Sequence, residues 1–232
     1  MIEIQCYLFT RRTIMKLLLN VSYDDKDIVK KLGAYWNPTL KKWYVPNEQD
    51  YKKFIPWILQ EQEEIYIVKD YFYLIFGTKT CYRCNQPTSV VGFGIENYAE
   101  VIDPNVYDTD SPISWQSGTI HIVPFIDNLP NGIYKYLQEK FHFYNSYSKT
   151  IDDYYFANHC EHCNALQGSY FLFDEVDSPF FINSVADAQQ LDLYQVQLKY
   201  DVITDLDLRC CSTDYLIKKS ANFHQIIIKD SK

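Results

Sequence analysis

Two Cys-x-x-Cys pairs constrain the fold of this chain more than any other feature of its sequence. The first pair is Cys81 and Cys84, and the second pair is Cys160 and Cys163. Each pair holds two sulfur atoms on one tight turn, and thiolate sulfur is a preferred ligand of Zn2+ at tetrahedral sites. The pattern therefore predicts one Zn2+ ion per chain, bound by all four cysteines.

A spacer of 75 residues, 85–159, separates the two pairs and is longer than the spacers usual in zinc ribbons. Closing a loop of this length costs about 4 kcal/mol, whereas a structural zinc ion contributes an apparent ~10–16 kcal/mol to folding. Metal binding therefore outweighs loop closure, and we expect the spacer to fold as part of one zinc-ribbon-containing body. The alternative is two thiol pairs that share no metal.

The zinc is expected to be structural, because four thiolates complete its coordination shell and leave no position for a water molecule. His159 and His162 interleave with the second pair, and either could replace a cysteine and open the site. The alternative is that their rings or backbone amides make hydrogen bonds around the metal. Arg83, inside the first pair, can offset the negative charge of a four-thiolate centre.

Three further cysteines, Cys6, Cys210 and Cys211, lie outside the two pairs and bring the count to 7. In a cytosolic chain, paired Cys-x-x-Cys motifs indicate a metal and not disulfides. A disulfide between the adjacent Cys210 and Cys211 would close a strained ring. We therefore expect both to be buried thiols that pack as small apolar groups.

The composition favours β-structure, because the chain has 21 Tyr and 14 Phe but 7 Gly, and aromatic residues are enriched in strands. We predict a mixed α+β fold, with a small N-terminal β-α-β-β-α unit followed by a larger, mainly β body. Three segments are expected: an extension at 1–15, a Trp- and Lys-rich domain at 16–60 and a zinc-binding body at 61–232. Within the body, 103–118 is predicted to be a loop and 169–173 a strand.

Net charge divides the chain unevenly. Residues 1–80 carry 12 Lys and Arg against 10 Asp and Glu, a net charge of +2, whereas residues 81–232 carry 10 against 20, a net charge of −10. Because an acidic surface repels phosphate groups, any nucleic-acid contact is expected to use the N-terminal part. No apolar run approaches the ~18 residues of a membrane span. We therefore expect a cytoplasmic protein with no membrane partner.

Aromatic and lysine side chains are interleaved at residues 32–46, LGAYWNPTLKKWYVP. Strand alternation puts Lys42 and Tyr44 on one face and Trp43 on the other. Because a unit this small needs large aromatic side chains to bury enough surface, Trp36 and Trp43 are expected to form its core. Tyr44 and the lysines then remain free for contact.

The N-terminal unit is the candidate nucleic-acid interface. Residues 16–53 carry 8 Lys against 5 Asp and Glu, a net charge of +3. Aromatic faces stack on the bases of single-stranded nucleic acid, and neighbouring lysines neutralise its phosphates. The sequence therefore predicts an interface made of five side chains: Lys41, Lys42, Tyr44, Lys52 and Lys53.

Residues 16–46 resemble a short bacterial domain of unknown function that is found beside TraC-type plasmid primases. Its pattern is Leu-x-Val-x-Tyr, then Lys-x-x-x-Lys-x-Leu-Gly-Ala-x-Trp, then Lys-x-Trp-Tyr-Val. The second cysteine pair with its flanks, 157–168, looks like a zinc-binding module in bacterial proteins that carry the same N-terminal domain. The resemblance implies a DNA-related or mobile-element context and assigns no catalytic residue. The matching residues are Leu19, Val21, Tyr23, Lys26, Lys30, Leu32, Gly33, Ala34, Trp36, Lys41, Trp43, Tyr44 and Val45.

The sequence predicts no catalytic residue. It contains no phosphate-binding loop, no nucleophile elbow and no metal-binding His pair at helical spacing, and the acidic residues of the 103–118 loop are of the usual turn-forming kind. We therefore expect a non-enzymatic, zinc-stabilised protein of bacterial or mobile-element origin that binds DNA or single-stranded nucleic acid weakly through its N-terminal domain. The alternative is a binder of a protein partner, such as an immunity, anti-defence or regulatory factor, that uses the acidic, aromatic-rich body.

Overall fold

The computed structural model describes residues 16–149 and 152–228. The predicted extension at 1–15, with Cys6, lies outside the described residues. In the described part, the chain forms a mixed α+β fold in which strands dominate and helices are few and short. This is the fold class that the composition predicts.

A three-stranded antiparallel sheet and short helices form the N-terminal unit. The order of the strands is β1-β3-β2. Helix α1 ends where Gly33 adopts a φ of 104°, a left-handed conformation that costs glycine no steric strain, and the chain then turns directly into the β2–β3 hairpin. The elements are β1 (Leu17–Leu19), α1 (Lys26–Leu32), β2 (Tyr35–Asn37), β3 (Lys42–Val45), a 3-10 helix (Glu48–Phe54) and α2 (Ile55–Leu59).

The body contributes three further sheets. A four-stranded sheet has the order β14-β4-β7-β8, a five-stranded sheet β15-β13-β5-β6-β9 and a three-stranded sheet β10-β11-β12. The elements are β4 (Glu64–Val68), β5 (Tyr71–Thr80), β6 (Pro87–Ile95), β7 (Tyr98–Ile102), α3 (Pro104–Tyr107), β8 (Ile113–Gln116), β9 (His121–Val123), α4 (Asn131–Phe141), β10 (Phe143–Ser148), β11 (Asp153–His159), β12 (Leu166–Gln167), a π-helical turn (Tyr170–Asp174), α5 (Val185–Gln189), β13 (Asp192–Gln197), β14 (Val202–Thr204), α6 (Tyr215–Ser220) and β15 (Asn222–Gln225).

Two local predictions in the body are wrong. The predicted strand at 169–173 is a π-helical turn, in which the Glu175 N–H donates to the Tyr170 carbonyl at 3.0 Å. A short apolar run has no period that separates a strand from a helical turn. The predicted loop at 103–118 contains α3 and β8, and β8 pairs with β7 across the sheet, a tertiary contact that local turn signals do not reveal.

The N-terminal unit and the body share one hydrophobic core. Leu17, Val45 and Phe54 are fully buried on the N-terminal side, and they belong to the same cluster as Ile67 of β4 and Ile203 of β14. Burial of apolar surface is the main favourable term in folding. The segments 16–60 and 61–232 are therefore joined by buried contacts as well as by the chain.

Two polar contacts, one buried and one at the surface, also cross this junction. The Tyr51 hydroxyl, on the 3-10 helix, donates to Asp201 Oδ2 at 2.7 Å, and Lys16 forms an ion pair with Asp70 at 2.9 Å. Burial raises the pKa of Asp201 above its usual value, because the charged form loses solvation. The Tyr51 hydroxyl supplies the donor that this carboxyl group needs in the interior.

A second core fills the interior of the body. Phe72 of β5, Phe93 of β6 and Phe143 of β10 are buried there, together with Leu137 of α4. The packing of α4 and β10 onto the five-stranded sheet places the β10–β11–β12 sheet next to β6. Among the described residues, no helix has the length and apolar character needed to cross a membrane.

Candidate metal centre

All four paired cysteines meet at one point in the structure. Cys81 and Cys84 lie in the turn between β5 and β6, and Cys160 and Cys163 lie in the turn between β11 and β12. The four sulfur atoms are within 4.8 Å of one another. They are close enough to coordinate a single metal ion, although residues 85–159 separate the two pairs in the chain.

The two turns have the same backbone hydrogen bonds. In the first, the Cys81 N–H donates to the Gln86 carbonyl and the Asn85 N–H to the Cys81 carbonyl, both at 2.9 Å. In the second, Cys160 donates to Ala165 and Asn164 donates to Cys160, again at 2.9 Å. The two halves of the site are therefore built alike, which suits a tetrahedral ion that takes two ligands from each.

An asparagine follows each pair, and the sequence analysis missed this signal. Asn85 has a φ of 55° and Asn164 a φ of 56°, both in the left-handed region. Asparagine is among the few residues that adopt this conformation readily. The repeated motif Cys-x-x-Cys-Asn thus identifies two turns of one shape, a stronger signal than the cysteine spacing alone.

Backbone N–H groups point at the sulfur of the first cysteine in each pair. The Arg83 N–H donates to Cys81 Sγ and the His162 N–H to Cys160 Sγ, each at 3.4 Å. Burial opposes ionisation of Cys81, but N–H donors from Cys84 and Arg83 stabilise its thiolate and lower its pKa to about 6. Burial likewise opposes ionisation of Cys160, and donors from His162 and Cys163 lower its pKa. Thiolates are the form that binds metal.

Hydrogen bonds from β11 and from the second turn hold that turn against β6. Asn158 makes a double contact with Val91, because its Oδ1 accepts from the Val91 N–H at 2.8 Å and its Nδ2 donates to the Val91 carbonyl at 2.9 Å. The Glu161 N–H donates to Thr88 Oγ1 at 3.0 Å, and Glu161 Oε1 accepts from the Ser89 N–H at 3.2 Å. These bonds attach the second cysteine pair to β6, the strand that directly follows the first pair in the chain.

Neither histidine is directed to the metal position. His159 Nδ1 donates to the carbonyls of Ala157 and His142 at 3.0 and 3.2 Å, and its Nε2 accepts from the Ser146 hydroxyl at 3.0 Å. Burial lowers the pKa of His159, which keeps the ring neutral. His162 Nε2 donates to the Pro87 carbonyl at 2.9 Å. Of the two alternatives left open by the sequence, the structure favours hydrogen bonding around the site over direct ligation.

One donor to the sulfur cluster was not foreseen. Gln167, which is buried on β12, donates through Nε2 to Cys81 Sγ at 3.5 Å and to the Ala165 carbonyl at 2.8 Å. This amide links the second turn to a cysteine of the first. The predicted burial of Cys210 and Cys211 is wrong, because both are exposed; they lie in an irregular segment between β14 and α6.

The predicted nucleic-acid residues lie on two different elements. Lys42 and Tyr44 are on the outer face of the N-terminal sheet, and Lys41 is in the β2–β3 turn with a φ of 52°. Lys52 and Lys53 are on the 3-10 helix, where Lys53 forms an ion pair with Asp50 at 2.5 Å. The structure therefore groups Lys41, Lys42 and Tyr44 on one hairpin and places the other two lysines elsewhere.

An additional aromatic side chain lies beside Tyr44. Tyr35 pairs with Tyr44 across β2 and β3, and the two rings stack at 5.7 Å with an angle of 28°. Tyr35 is 56% exposed, and the sequence analysis did not select it. Since paired residues of an antiparallel ladder lie on the same face, alternation along β2 and β3 was the signal that could have identified it.

The expectation that both tryptophans are buried is wrong for Trp36. Trp43 packs against the shared core, whereas Trp36 is 49% exposed. The rings meet edge to face at 5.7 Å. Because β2 is the edge strand of the sheet, one side of Trp36 has no neighbouring strand to cover it.

Comparison with known proteins finds one family model that matches the N-terminal unit. Residues 16–58 match the model of a family described as a domain of unknown function, DUF5710. The match covers about a fifth of the chain and includes the first sheet, the 3-10 helix and most of α2. No curated protein and no solved structure matches the chain. The chain is thus similar to DUF5710 over residues 16–58.

Proposed function

We propose that this chain is a non-enzymatic binding protein whose body is stabilised by one structural Zn2+ ion. The observation that carries this proposal is the convergence of four cysteine sulfurs within 4.8 Å on two turns of the same shape. The ion would join the β5–β6 hairpin of the five-stranded sheet to the β11–β12 hairpin. This arrangement of two cysteine turns is that of a zinc-ribbon-like module.

The sulfur geometry fits a tetrahedral four-thiolate site. With a Zn–S bond of about 2.3 Å, the edge of the sulfur tetrahedron is about 3.8 Å. The distance from Cys81 Sγ to Cys163 Sγ is 3.7 Å, and that from Cys84 Sγ to Cys160 Sγ is 3.6 Å. Both distances are far from the S–S bond of about 2.05 Å in a disulfide.

A structural role follows from the closed donor set. Four thiolates complete the coordination of Zn2+ and leave no open position for a substrate or a water molecule. Cys81 and Cys160 are fully buried, and both ring nitrogens of His159 and Nε2 of His162 hydrogen-bond to other groups of the protein. Elemental analysis of the purified chain tests the proposal, with about one zinc per chain expected; iron in place of zinc, or no metal, would contradict it.

A second candidate function is weak nucleic-acid binding by the outer face of the N-terminal sheet. The observation that favours it is the stacked pair of exposed Tyr35 and half-buried Tyr44, which lies on the same face as Lys42. Aromatic rings stack on bases of any sequence, while adjacent lysines neutralise phosphates. The net charge of +3 over residues 16–53 contrasts with −10 over residues 81–232, which limits the contact to this unit.

Fluorescence anisotropy with single-stranded and duplex oligonucleotides tests this second function. With three or four phosphates engaged, log K should fall against log[salt] with a slope of roughly −2 to −4. Lys41→Glu with Lys42→Glu should abolish binding, and Tyr44→Ala should cost roughly 1–3 kcal/mol of binding free energy if the ring stacks on a base. The matched control is Lys135→Glu with Lys140→Glu, which makes the same charge change at exposed positions of α4.

Absence of binding to every oligonucleotide at low salt would contradict the nucleic-acid function. The acidic body would then be the leading candidate surface, with a protein partner as its ligand. Exposed aromatic side chains there, including Tyr170 and Phe171 on the π-helical turn, are of the type that anchors interfaces. Co-purification with a tagged chain distinguishes this outcome.

The resemblance of residues 16–46 to a domain found beside plasmid primases supports a bacterial, mobile-element context in the cytoplasm. The DUF5710 match at 16–58 covers this stretch. In that setting, a small zinc-stabilised protein with a weak nucleic-acid interface would act as an accessory factor and not as the primase itself. Binding to oligonucleotides, measured as above, is the part of this proposal that the chain alone can test.

A further inference from the structure

The four cysteines of the metal centre are unequally covered by the protein. Cys81 and Cys160, the first cysteine of each pair, have no exposed surface, whereas Cys84 and Cys163, the second of each pair, are partly exposed. We call the first two the inner cysteines and the second two the outer cysteines. A reagent that arrives from solvent can therefore approach the outer cysteines, while the inner ones are shielded from it.

The two turns produce this difference in the same way. Each inner cysteine directly follows a strand, β5 or β11, and each outer cysteine lies within the turn itself. The neighbours of the outer cysteines on both sides are exposed, so each outer cysteine lies at the surface of its turn. Because the difference occurs in both turns, it is a property of the whole site. The exposed neighbours are Arg83, Asn85, His162 and Asn164.

Hydrogen bonds add to the protection of one inner sulfur. Backbone N–H groups donate to the sulfurs of Cys81 and Cys160 at 3.4 Å, and the N–H groups of Gln86 and Ala165 act on the outer sulfurs. The sulfur of Cys81 also accepts from the buried Gln167 amide, at 3.5 Å. A sulfur whose negative charge is stabilised by donors is a weaker nucleophile. Burial and hydrogen bonding thus act in the same direction at Cys81.

We propose that the outer cysteines, Cys84 and Cys163, are a modification site for hydrogen peroxide, and that their oxidation opens the metal centre. The inference rests on the structural metal proposed above, because the reacting form is the ligating thiolate. The sulfur attacks one oxygen of the peroxide. An S–O bond forms, the O–O bond breaks and the second oxygen leaves as hydroxide, so the peroxide is reduced and the cysteine becomes a sulfenic acid.

Oxidation of one outer cysteine has a structural consequence. The site then retains three of its four thiolates, which weakens metal binding and with it the link between the β5–β6 and β11–β12 hairpins. Hydrogen peroxide suits this site because it is small and uncharged, so the net charge of −10 over residues 81–232 does not repel it. A sulfenic acid is also reversible, since two equivalents of a small thiol return it to cysteine and form water and the disulfide of that thiol.

Peroxide treatment of the zinc-loaded chain in the presence of dimedone, which traps sulfenic acids, tests the proposal. Trypsin cleaves between Cys81 and Cys84, and a Glu-specific protease cleaves between Cys160 and Cys163, so peptide mass spectrometry assigns each adduct. With limiting peroxide, adducts on the outer cysteines should exceed those on the inner cysteines by at least about tenfold. A chromogenic chelator should register about one zinc released per adduct. The three cysteines outside the pairs are changed to serine in this background, so that they do not compete.

A variant of Gln167 tests the protection of the inner sulfur. Gln167→Ala should raise the share of adduct on Cys81 at least about threefold and leave that on Cys160 unchanged. The matched control is Gln86→Ala, at an exposed position of the first turn, which should leave the share on Cys81 as in the parent chain.

Three results overturn the proposal while the structural zinc stands. They are equal adduct on inner and outer cysteines, zinc that stays bound in the modified chain, and an unchanged share on Cys81 in a Gln167→Ala chain that holds its zinc. Zinc content is measured on the same samples before peroxide is added. A chain without zinc at that stage contradicts the structural metal itself, and this inference with it.

Discussion

The N-terminal unit and the metal centre are stabilised in opposite ways. The N-terminal unit buries large apolar side chains, such as Phe54 and Ile58, in a core that it shares with the four-stranded sheet. Around the metal position, Cys81, Cys160 and Ala165 are buried and Cys84 and Cys163 are partly buried, so this cluster adds little apolar burial of its own. On our proposal, the N-terminal unit depends on packing, and the metal centre depends on coordination.

This difference determines how each region should respond to a single substitution. Packing is distributed, so the loss of one side chain leaves most of the contacts in place. Coordination is concentrated in four atoms, and the loss of one ligand removes most of the metal's contribution to folding. The following predictions test whether the two regions are as different as the structure indicates.

The largest effect is expected from Cys160→Ser. Loss of the metal should lower the free energy of unfolding by more than about 4 kcal/mol, measured by urea denaturation. Hydrogen exchange should rise first in β11 and β12, while β1 and β3 stay protected by the shared core. The control is Cys210→Ser, at an exposed cysteine outside the cluster, which should change stability by less than about 0.5 kcal/mol. A Cys160→Ser chain as stable as wild type would contradict stabilisation of the metal centre by coordination.

A smaller effect is expected from Phe54→Ala. Removing this fully buried ring should cost about 3–5 kcal/mol through lost burial and the cavity left behind. The zinc content of the folded chain should not change, because the ring is in the packed core and not at the coordination site. Ile28→Ala, at a position 51% exposed, is the control and should cost less than about 0.5 kcal/mol. Zinc loss in the Phe54 variant would show that the two regions are not separable.

The smallest effect is expected within the Trp36–Trp43 pair. Either alanine variant removes the edge-to-face contact, so a difference between them reports the burial of Trp43 against the core. Trp43→Ala should cost about 1–2 kcal/mol, and Trp36→Ala should cost less than about 1 kcal/mol, measured by thermal unfolding. Equal costs would mean that packing of Trp43 against the core adds no stability beyond its contact with Trp36.

Local sequence signals predicted which four cysteines come together, because spacing within a turn determines where two sulfurs lie. The two pairs were also expected to share one ion, because four thiolates complete its coordination shell. The Asn residue after each pair could also have predicted the shape of the turn, because asparagine tolerates a positive φ. The hydrogen bond from Gln167 to Cys81 could not be predicted from local sequence, because it joins positions 86 residues apart.

The errors occurred where tertiary contacts decide the outcome. Trp36 was expected in the core because it is large and apolar, but its strand lies at the edge of the sheet. The buried bond from Tyr51 to Asp201 joins positions 150 residues apart, so no local pattern indicates that residues 16–60 pack on the body.

Zinc content in two double variants tests the central claim most directly. In Cys81→Ser with Cys84→Ser the first pair is lost, and in Cys160→Ser with Cys163→Ser the second pair is lost. One shared four-thiolate ion predicts about one zinc per wild-type chain by elemental analysis and near-complete loss of zinc in both variants. Full zinc retention in either variant, after removal of loosely bound metal by dialysis, would contradict a shared site.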